Sequence, residues 1–207
     1  MIESKPYAET VLNETNGYVN TVAWHCYNHT GYENMSAIHS EYSNVDQYMT
    51  ECNMQTGNWT AVVDFILGPL LNWSKGSIAW PLVSDPGAQD YLPDEHACSF
   101  CSGMVTINNE KNYELEILYY VMAQFSRFMP VGATVLETDG SAFYSSSDYF
   151  HDIAGVASLN PDDHKRVVVI ASNRTEDTSV TVAFQSGDSW TGSVQSGSVT
   201  TWVLPST

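Results

Sequence analysis

Basic residues are scarce in this 207-residue chain: seven lysines and arginines stand against 24 aspartates and glutamates, a formal net charge of −17 at pH 7. Such a surface repels nucleic-acid phosphates and anionic lipid headgroups, so we exclude nucleic acid as a partner. Charge of either sign is sparse, since 15% of residues are charged whereas 12% are aromatic. This composition favours a folded protein whose aromatic rings can stack on neutral, hydroxyl-rich ligands.

Long apolar segments are also missing. The most apolar stretch, residues 61–71, is shorter than the roughly 20 residues of a membrane-spanning helix, and it contains Asp64, Gly68 and Pro69. We therefore expect no transmembrane segment. The N-terminal residues 1–6 are polar and lack the basic and apolar regions of a signal peptide.

Asn-X-Ser/Thr sequons occur six times and predict N-glycosylation along a secretory route. Chance matches in a chain rich in Asn, Ser and Thr are the alternative. Because sequons without a signal peptide point to missing upstream sequence, we expect an extracellular protein that is preceded by further residues. The predicted acceptors are Asn13, Asn28, Asn34, Asn58, Asn72 and Asn173.

Only four cysteines are present, an even number that is compatible with two disulfides in an oxidising compartment. Cys98 and Cys101 form a C-x-x-C pair, for which we predict a small loop-closing disulfide; redox and zinc roles are the alternatives. A zinc site needs two more ligands, and His96 is the one nearby candidate, so no metal site is expected. Whether Cys26 pairs with Cys52 stays open.

The first 129 residues alternate between strand-like and helix-like segments, which predicts parallel βα units. The segment 59–73 carries apolar residues at helical spacing, and the segment 114–129 does the same before Pro130. The predicted strands cover residues 19–27, 46–52 and 76–83, and the predicted helices cover 33–43, 59–73 and 114–129.

The composition changes after Pro130. From Thr134 onward, short segments rich in Val, Ile, Thr and Ser alternate with turn residues, and no helical period occurs. We therefore predict an all-β domain of the β-sandwich type at residues 130–207. Its predicted strands are 153–159, 166–172, 179–184, 189–194 and 198–204.

The βα part is too short for a closed barrel. A (β/α)8 barrel needs eight strands and typically about 250 residues, whereas residues 1–129 supply three predicted barrel strands. Three parallel strands alone leave long edges and a half-covered core. The expected fold class is thus α/β plus all-β, with part of a larger parallel architecture at residues 1–129.

Polar residues end two of the predicted strands. In an α/β barrel the catalytic groups lie at the carboxyl ends of the strands, which selects His25 and Tyr27 after the first strand and Glu51 after the second. Trp80 adds an aromatic side chain near the end of the third. A carboxylate among such residues suits glycoside hydrolysis, in which a carboxylate attacks the anomeric carbon. An ordinary strand-terminal acid among core aromatics is the alternative.

Five segments, in this order and spacing, resemble the second half of glycoside hydrolase family 30, which includes glucosylceramidases and fungal endo-β-1,6-glucanases. The stretch 156–174, with its Asn-Pro-Asp turn before a Val-rich strand, is similar to the C-terminal sandwich of that family. The five segments are VAWHCY (22–27), YMTEC (48–52), GSIAW (76–80), CSFCSGMVTI (98–107) and FSRF (125–128).

The resemblance implies the last strands of a (β/α)8 TIM barrel at residues 1–129, a side β-sandwich at 130–207, and a retaining double displacement without a cofactor. Glu51 matches the nucleophile position of the family at the end of the seventh barrel strand. His25 and Tyr27 match active-site positions after the sixth strand, and Trp80 matches a sugar-contacting tryptophan after the eighth. The expected substrate is a β-linked glycan or glycolipid.

Two positions depart from the family pattern. Pro81 follows Trp80 where many members carry Asn, so a hydrogen bond to substrate is in doubt. The general acid/base of the family, the Glu of an Asn-Glu-Pro motif, is absent, because neither Asn13-Glu14 nor Asn109-Glu110 is followed by Pro. Retaining hydrolysis needs two carboxyl groups, so Glu51 alone cannot complete the cycle.

Three functional hypotheses are compatible with the sequence. The first is a family 30-like β-glycosidase that is supplied as a fragment lacking the acid/base. The second is a non-catalytic secreted paralogue that binds a glycan or a protein. The third is a subunit that completes its barrel with a separately encoded N-terminal half. Comparing the hydrolytic activity of this chain with that of a version extended upstream tests the first hypothesis. Titration with β-glucan oligosaccharides tests the second, and the oligomeric state tests the third.

Overall fold

The computed structural model describes residues 5–27, 31–53, 58–85, 103–109, 111–138 and 152–206. The chain divides into two compact units, Met1–Ala123 and Gln124–Thr207. None of the helices within these described ranges is both long and apolar enough to cross a bilayer. The assignment of residues 1–129 to a hydrolase barrel domain and of 130–207 to a sandwich domain stays a prediction.

The first unit is built on a three-stranded parallel sheet in the order β1-β2-β3. Helices alternate with its strands, as the periodicity of the sequence predicts. The elements are α1 (Lys5–Glu14), β1 (Thr21–His25), α2 (Glu33–Glu41), β2 (Asp46–Glu51), α3 (Trp59–Leu71) and β3 (Ser74–Ser77). The predicted parallel βα arrangement is therefore confirmed, although the sequence pattern does not predict α1.

Helix α3 supplies much of the core of this unit. Asn58 caps its first turn, because the side-chain Oδ1 accepts from the backbone N–H of Ala61 at 3.1 Å. Gly68 sits against the ring of Tyr32, which leaves no room for a side chain at that position. The middle of the helix, residues 62–69, is buried, and its buried hydrophobic side chains are Val62, Val63, Phe65, Ile66 and Leu67.

A buried amide fixes how β1, β2 and α2 meet. Gln47 is 1% exposed, accepts from Trp24 Nε1 at 3.1 Å, and donates to the carbonyl of Met35 at 2.8 Å. Each of these three groups would be left unsatisfied in the core if the strands slipped by one residue. This network thus holds the register that places the two strand ends side by side.

A second, smaller sheet follows the parallel one. It contains β4 (Val83–Ser84), β5 (Val105–Asn109) and β6 (Asn112–Leu115), with β4 parallel to β5 and β5 antiparallel to β6. The predicted strand 76–83 is wrong in extent, because β3 ends at Ser77. The predicted helix 114–129 begins later, as α4 (Ile117–Ser126), because Glu114 and Leu115 pair with β5.

The second unit consists of antiparallel strands. A four-stranded sheet has the order β12-β9-β8-β7, and β10 pairs with β11 in a hairpin. Four of the five strands predicted here have the observed limits; β10 is shifted by one residue, and β7 is not predicted by the sequence pattern. The strands are β7 (Thr134–Leu136), β8 (Ile153–Leu159), β9 (Arg166–Ser172), β10 (Thr178–Ala183), β11 (Ser189–Val194) and β12 (Ser198–Leu204).

One apolar cluster joins the two sheets of this unit. It is formed by buried residues of β8, β9, β11 and β12, onto which Val180 and Val182 of β10 pack. Arg166, at the start of β9, covers one end of the cluster, with its guanidinium 4.0 Å from the centre of the Phe184 ring. Every element described after Pro130 is a β-strand, so the predicted all-β character is confirmed for residues 131–138 and 152–206.

Candidate active site

Two polar residues meet where β1 and β2 end. In the parallel ladder His25 is the partner of Glu51, and the backbone N–H of Cys26 donates to the carbonyl of Glu51 at 3.1 Å. Carboxyl ends of neighbouring parallel strands lie at the same edge of a sheet, which is where α/β folds place their ligands. The structure therefore brings His25, Tyr27 and Glu51 together at one edge, as the sequence predicts.

The carboxylate of Glu51 is contacted by both of its predicted neighbours. The hydroxyl of Tyr27 donates a short hydrogen bond to Glu51 Oε1. Nδ1 of His25 lies 3.8 Å from the same oxygen, too far for a hydrogen bond but close enough for an electrostatic interaction when the imidazole is protonated. The side chain of Glu51 is 32% exposed, so it is held in place and remains open to a ligand.

His25 and Tyr27 also contact each other. Their rings meet edge to face, with centroids 5.8 Å apart and an interplanar angle of 84°. The arrangement is a small cluster in which an aromatic hydroxyl orients a carboxylate and an imidazole supports the ring of the tyrosine.

A disulfide ties together the two strand ends that carry this cluster. Cys26 and Cys52 are bonded, with their Cα atoms 5.1 Å apart and with exposures of 3% and 0%. The register shifts between Trp24 and His25, which brings Cys26 level with Cys52. The pairing that the sequence left open is therefore resolved, and the irregular register supplies the geometry that a regular parallel pair rarely offers.

Trp80 lies beyond the end of β3, at the same edge of the sheet. Its backbone N–H donates to the carbonyl of Cys52 at 2.8 Å, and it forms an isolated parallel bridge with Asn53. The residue is 51% exposed. The backbone of Trp80 is thus anchored directly beside Cys52, the residue that follows Glu51. Trp80 itself lies outside the third strand, because β3 ends at Ser77.

Some predicted sites lie elsewhere. Cys98, Cys101 and Asn28 fall outside the residues that the structure describes. Within the described ranges, no group of three or more His, Cys, Asp or Glu side chains is placed to hold a metal ion.

The predicted glycan acceptors differ in environment. Asn13, Asn58 and Asn173 are exposed, whereas Asn34 and Asn72 are half-buried. Asn72 is engaged through both side-chain atoms: Nδ2 donates to the carbonyl of Gly68 at 2.8 Å, and Oδ1 accepts from Ser36 at 2.8 Å. Since Nδ2 is the atom that carries an N-linked glycan, the amide of Asn72 has a structural role that a glycan would disrupt. Glycosylation stays a prediction at Asn13, Asn34, Asn58 and Asn173, whereas these contacts lead us to expect no glycan at Asn72.

Comparison with known proteins gives close relatives of known class. The chain is 46% identical over 202 residues to an endo-1,6-β-D-glucanase of Aspergillus fumigatus and 41% identical over 204 residues to one of Neurospora crassa. These matches cover 97% and 96% of this chain but 40% and 42% of the two relatives. No protein-family model matches the chain.

Solved structures agree with the sequence relatives. The structure of an endo-β1,6-glucanase superposes with a TM-score of 0.77 at 26% identity, covering 97% of this chain and 45% of that one. A family 30 endoxylanase from Clostridium papyrosolvens shares the fold at a TM-score of 0.61 and 18% identity, over 90% of this chain and 49% of that one. This chain is homologous to fungal endo-1,6-β-D-glucanases, of whose length it spans about 40%, and it shares its fold with part of family 30 glycoside hydrolases.

Proposed function

We propose that this chain carries the nucleophile-bearing part of a retaining glycoside hydrolase that acts on β-1,6-linked glucan, with Glu51 as the nucleophile. The observation that carries the proposal is the carboxylate of Glu51 at the end of β2, oriented by Tyr27 and close to His25. The substrate class is taken from the fungal relatives, which are endo-1,6-β-D-glucanases. We further propose that β1, β2 and β3 are the last strands of a TIM barrel and that residues 130–207 form its side β-sandwich.

The proposed first step is attack of a Glu51 carboxylate oxygen on the anomeric carbon. The carbon–oxygen bond to the leaving sugar breaks as the glycosyl–Glu51 ester forms, and the leaving oxygen takes a proton from a second carboxylic acid. Water then attacks the anomeric carbon from the face that the leaving sugar vacated, the bond from that carbon to Glu51 breaks to release the carboxylate, and the second carboxyl group accepts a proton from the water. Both displacements invert the anomeric carbon, so the β configuration is retained.

Tyr27 and His25 are proposed to position the nucleophile. The hydrogen bond from Tyr27 fixes Oε1, which leaves the other oxygen of Glu51 as the proposed attacking atom. His25 borders Tyr27 and the carboxylate, and we assign it a substrate-contacting role as well. The half-exposed indole of Trp80 is proposed as an apolar wall for the sugar ring.

The second carboxyl group is proposed to come from the part of the fold that this chain does not span. Retaining enzymes place the two groups about 5–5.5 Å apart, and the 207 residues contain no Asn-Glu-Pro motif to supply the acid/base. A glycosidase of this kind would act on an extracellular polysaccharide. We accordingly propose a secreted protein, in keeping with its sequons.

The decisive experiment joins this chain to the remaining 60% of the Aspergillus fumigatus relative, which it does not cover, and measures reducing-sugar release from β-1,6-glucan. Activity is expected in the chimera, and Glu51→Gln should lower the rate by a factor on the order of 10⁴. Tyr27→Phe removes one hydrogen bond to a charged group, which is a loss of about 10- to 100-fold in kcat/KM. A Glu51→Gln chimera with unchanged activity rules out the proposed nucleophile.

The same experiment separates the competing hypotheses. If the 207-residue chain hydrolyses β-1,6-glucan as fast as the chimera does, the acid/base lies within it and the proposed division of roles is wrong. If neither protein is active while the chain binds the glucan, the non-catalytic binding protein becomes the better interpretation. A matched control is Tyr18→Phe, because Tyr18 is 93% exposed and lies outside the cluster.

A further inference from the structure

A tryptophan lies exposed at the other edge of the parallel sheet. Trp73 joins α3 to β3, and the next residue, Ser74, pairs in register with Gln47 of β2. Glu51 lies four residues further along β2, which places it about 13 Å away along the strand direction at ~3.3 Å per residue. Trp73 thus belongs to a different edge of the sheet from the candidate active site.

The backbone of Trp73 adopts a conformation that does not suit a large side chain. Its φ angle is +69°, in the left-handed region that commonly ends helices and that glycine usually occupies. The preceding residue, Asn72, holds this turn through its side-chain bonds to Gly68 and Ser36. Strain of this kind persists only where the surrounding structure enforces it, and it is a recognised mark of binding sites.

The indole is also held in a defined orientation. The ring of His39, in the last turn of α2, stacks on it with centroids 3.6 Å apart and an interplanar angle of 10°. Trp73 nevertheless remains 58% exposed, so most of the ring contributes little to the core. An exposed, backed and nearly fixed aromatic face costs little conformational entropy when a ligand binds.

The charged residue closest to Trp73 in the sequence is neutralised by a partner. Lys75, on β3, forms an ion pair with Asp46 at the start of β2, with Nζ and Oδ1 2.6 Å apart. The bond to Asp46 raises the pKa of Lys75, so the pair stays intact through the neutral range. A flat apolar ring whose nearest charged neighbour in the sequence is neutralised fits an uncharged ligand with an apolar face, and the C–H face of a pyranose ring has these properties.

We propose that Trp73 and His39 form a platform that binds a β-glucan chain without taking part in its hydrolysis. The choice of glucan as the ligand rests on the proposed function of the Glu51 cluster. A platform at the opposite edge of the sheet would keep the polymer attached while its bonds are cut elsewhere. Loss of the platform should therefore weaken binding of the polymer and leave binding of short substrates unchanged.

The test is affinity electrophoresis of the 207-residue chain through native gels that contain soluble β-1,6-glucan. Trp73→Gly should weaken retardation at least about tenfold in apparent Kd, as expected for loss of a central aromatic contact. The same variant should melt at an equal or higher temperature, because glycine adopts the left-handed conformation without strain. His39→Ala should weaken binding in part, and His39→Phe, which preserves a stacked ring, should restore it.

Variants of the candidate active site distinguish a failure of this proposal from a failure of the proposed function. Retardation that persists in Trp73→Gly overturns the platform. Retardation that is lost in Trp80→Ala instead assigns polymer binding to the candidate active site. A wild-type chain that no β-1,6-glucan gel retards overturns the platform as well. In the chimera, Glu51→Gln with unchanged hydrolysis refutes the nucleophile alone, whereas binding that still depends on Trp73 continues to support the platform.

Discussion

Opening the Cys26–Cys52 disulfide should destabilise the first unit by an amount that can be estimated from the fold. The bond joins residues 26 positions apart, and the chain-entropy model gives about 3.5 kcal/mol for a loop of roughly this length. Both cysteines are buried at the ends of neighbouring strands. For a chain of this size, such a loss corresponds to a fall in Tm of roughly 7–14 °C.

The perturbation is the double variant Cys26→Ala/Cys52→Ala, with unfolding followed in urea by tryptophan fluorescence. Alanine also removes two buried sulfur atoms, so wild type and variant are each measured with and without reductant. The C-x-x-C pair is common to both proteins, and its effect cancels in the comparison. The difference between wild type and variant should be about 3.5 kcal/mol larger without reductant than with it.

The disulfide should also matter for the site itself. Cys26 separates His25 from Tyr27, and Cys52 follows Glu51, so the bond flanks every member of the cluster. In the chimera, its loss should lower kcat at temperatures well below the melting transition. Equal unfolding free energies with and without reductant, together with an unchanged kcat, would contradict both the pairing and its role.

Three further outcomes follow from particular contacts. Because Arg174 holds the pKa of Asp152 below its ordinary value, this pair stabilises the fold above pH ~3.8, and the stabilisation is lost as the pH falls through the folded pKa. Asp152→Asn should lower the urea midpoint by more at pH 7 than at pH 2, and equal differences at both pH values would refute the pair. Gly68→Ala should destabilise by about 1–3 kcal/mol despite its better helix propensity, because the new methyl group meets the ring of Tyr32; a stabilised variant would contradict this packing. Glycopeptide mapping of secreted protein should find Asn72 unmodified, and an occupied Asn72 would show that its bonds to the helix end are dispensable.

Sequence patterns predict most of the strands, and success depends on whether a strand is buried. Strands β8 and β9 are short runs of buried residues bounded by turn residues, so both composition and punctuation mark their limits. Strands β5 and β6 lack such a signal, since most of their residues are exposed. Leu115 fits the helical spacing of α4, yet it pairs with Val105 of β5. Tertiary pairing, rather than local preference, therefore decides where that helix begins.

The candidate site shows the same division. Strand-end placement predicts that Glu51, His25 and Tyr27 converge, because the carboxyl ends of parallel strands share one edge. The direct hydrogen bond from Tyr27 to Glu51 and the bonding of Cys26 to Cys52 depend on the register shift after Trp24. A register shift has no local signature in sequence, so the disulfide could not be assigned beforehand.

The stacked pair at the other edge is likewise invisible in the sequence. The sequence pattern marks Trp73 only as the end of a predicted helix, and His39 as one residue on another. Their contact requires the left-handed turn after α3. The sequence does not predict this turn, because tryptophan occupies the position where glycine is usual. An unfavourable residue for a local conformation therefore becomes informative only once the backbone is known.

The claim that Glu51 is the nucleophile can be tested on this chain directly by covalent trapping. A 2-deoxy-2-fluoro β-1,6-linked glucose disaccharide with an activated leaving group needs no general acid, so the missing second carboxyl group does not prevent the first step. Incubation followed by peptide mass spectrometry should find one glycosyl adduct, on the peptide that contains Glu51, and none in Glu51→Gln. An adduct on a different residue, or an unlabelled chain that still binds the disaccharide, would contradict the proposed role of Glu51.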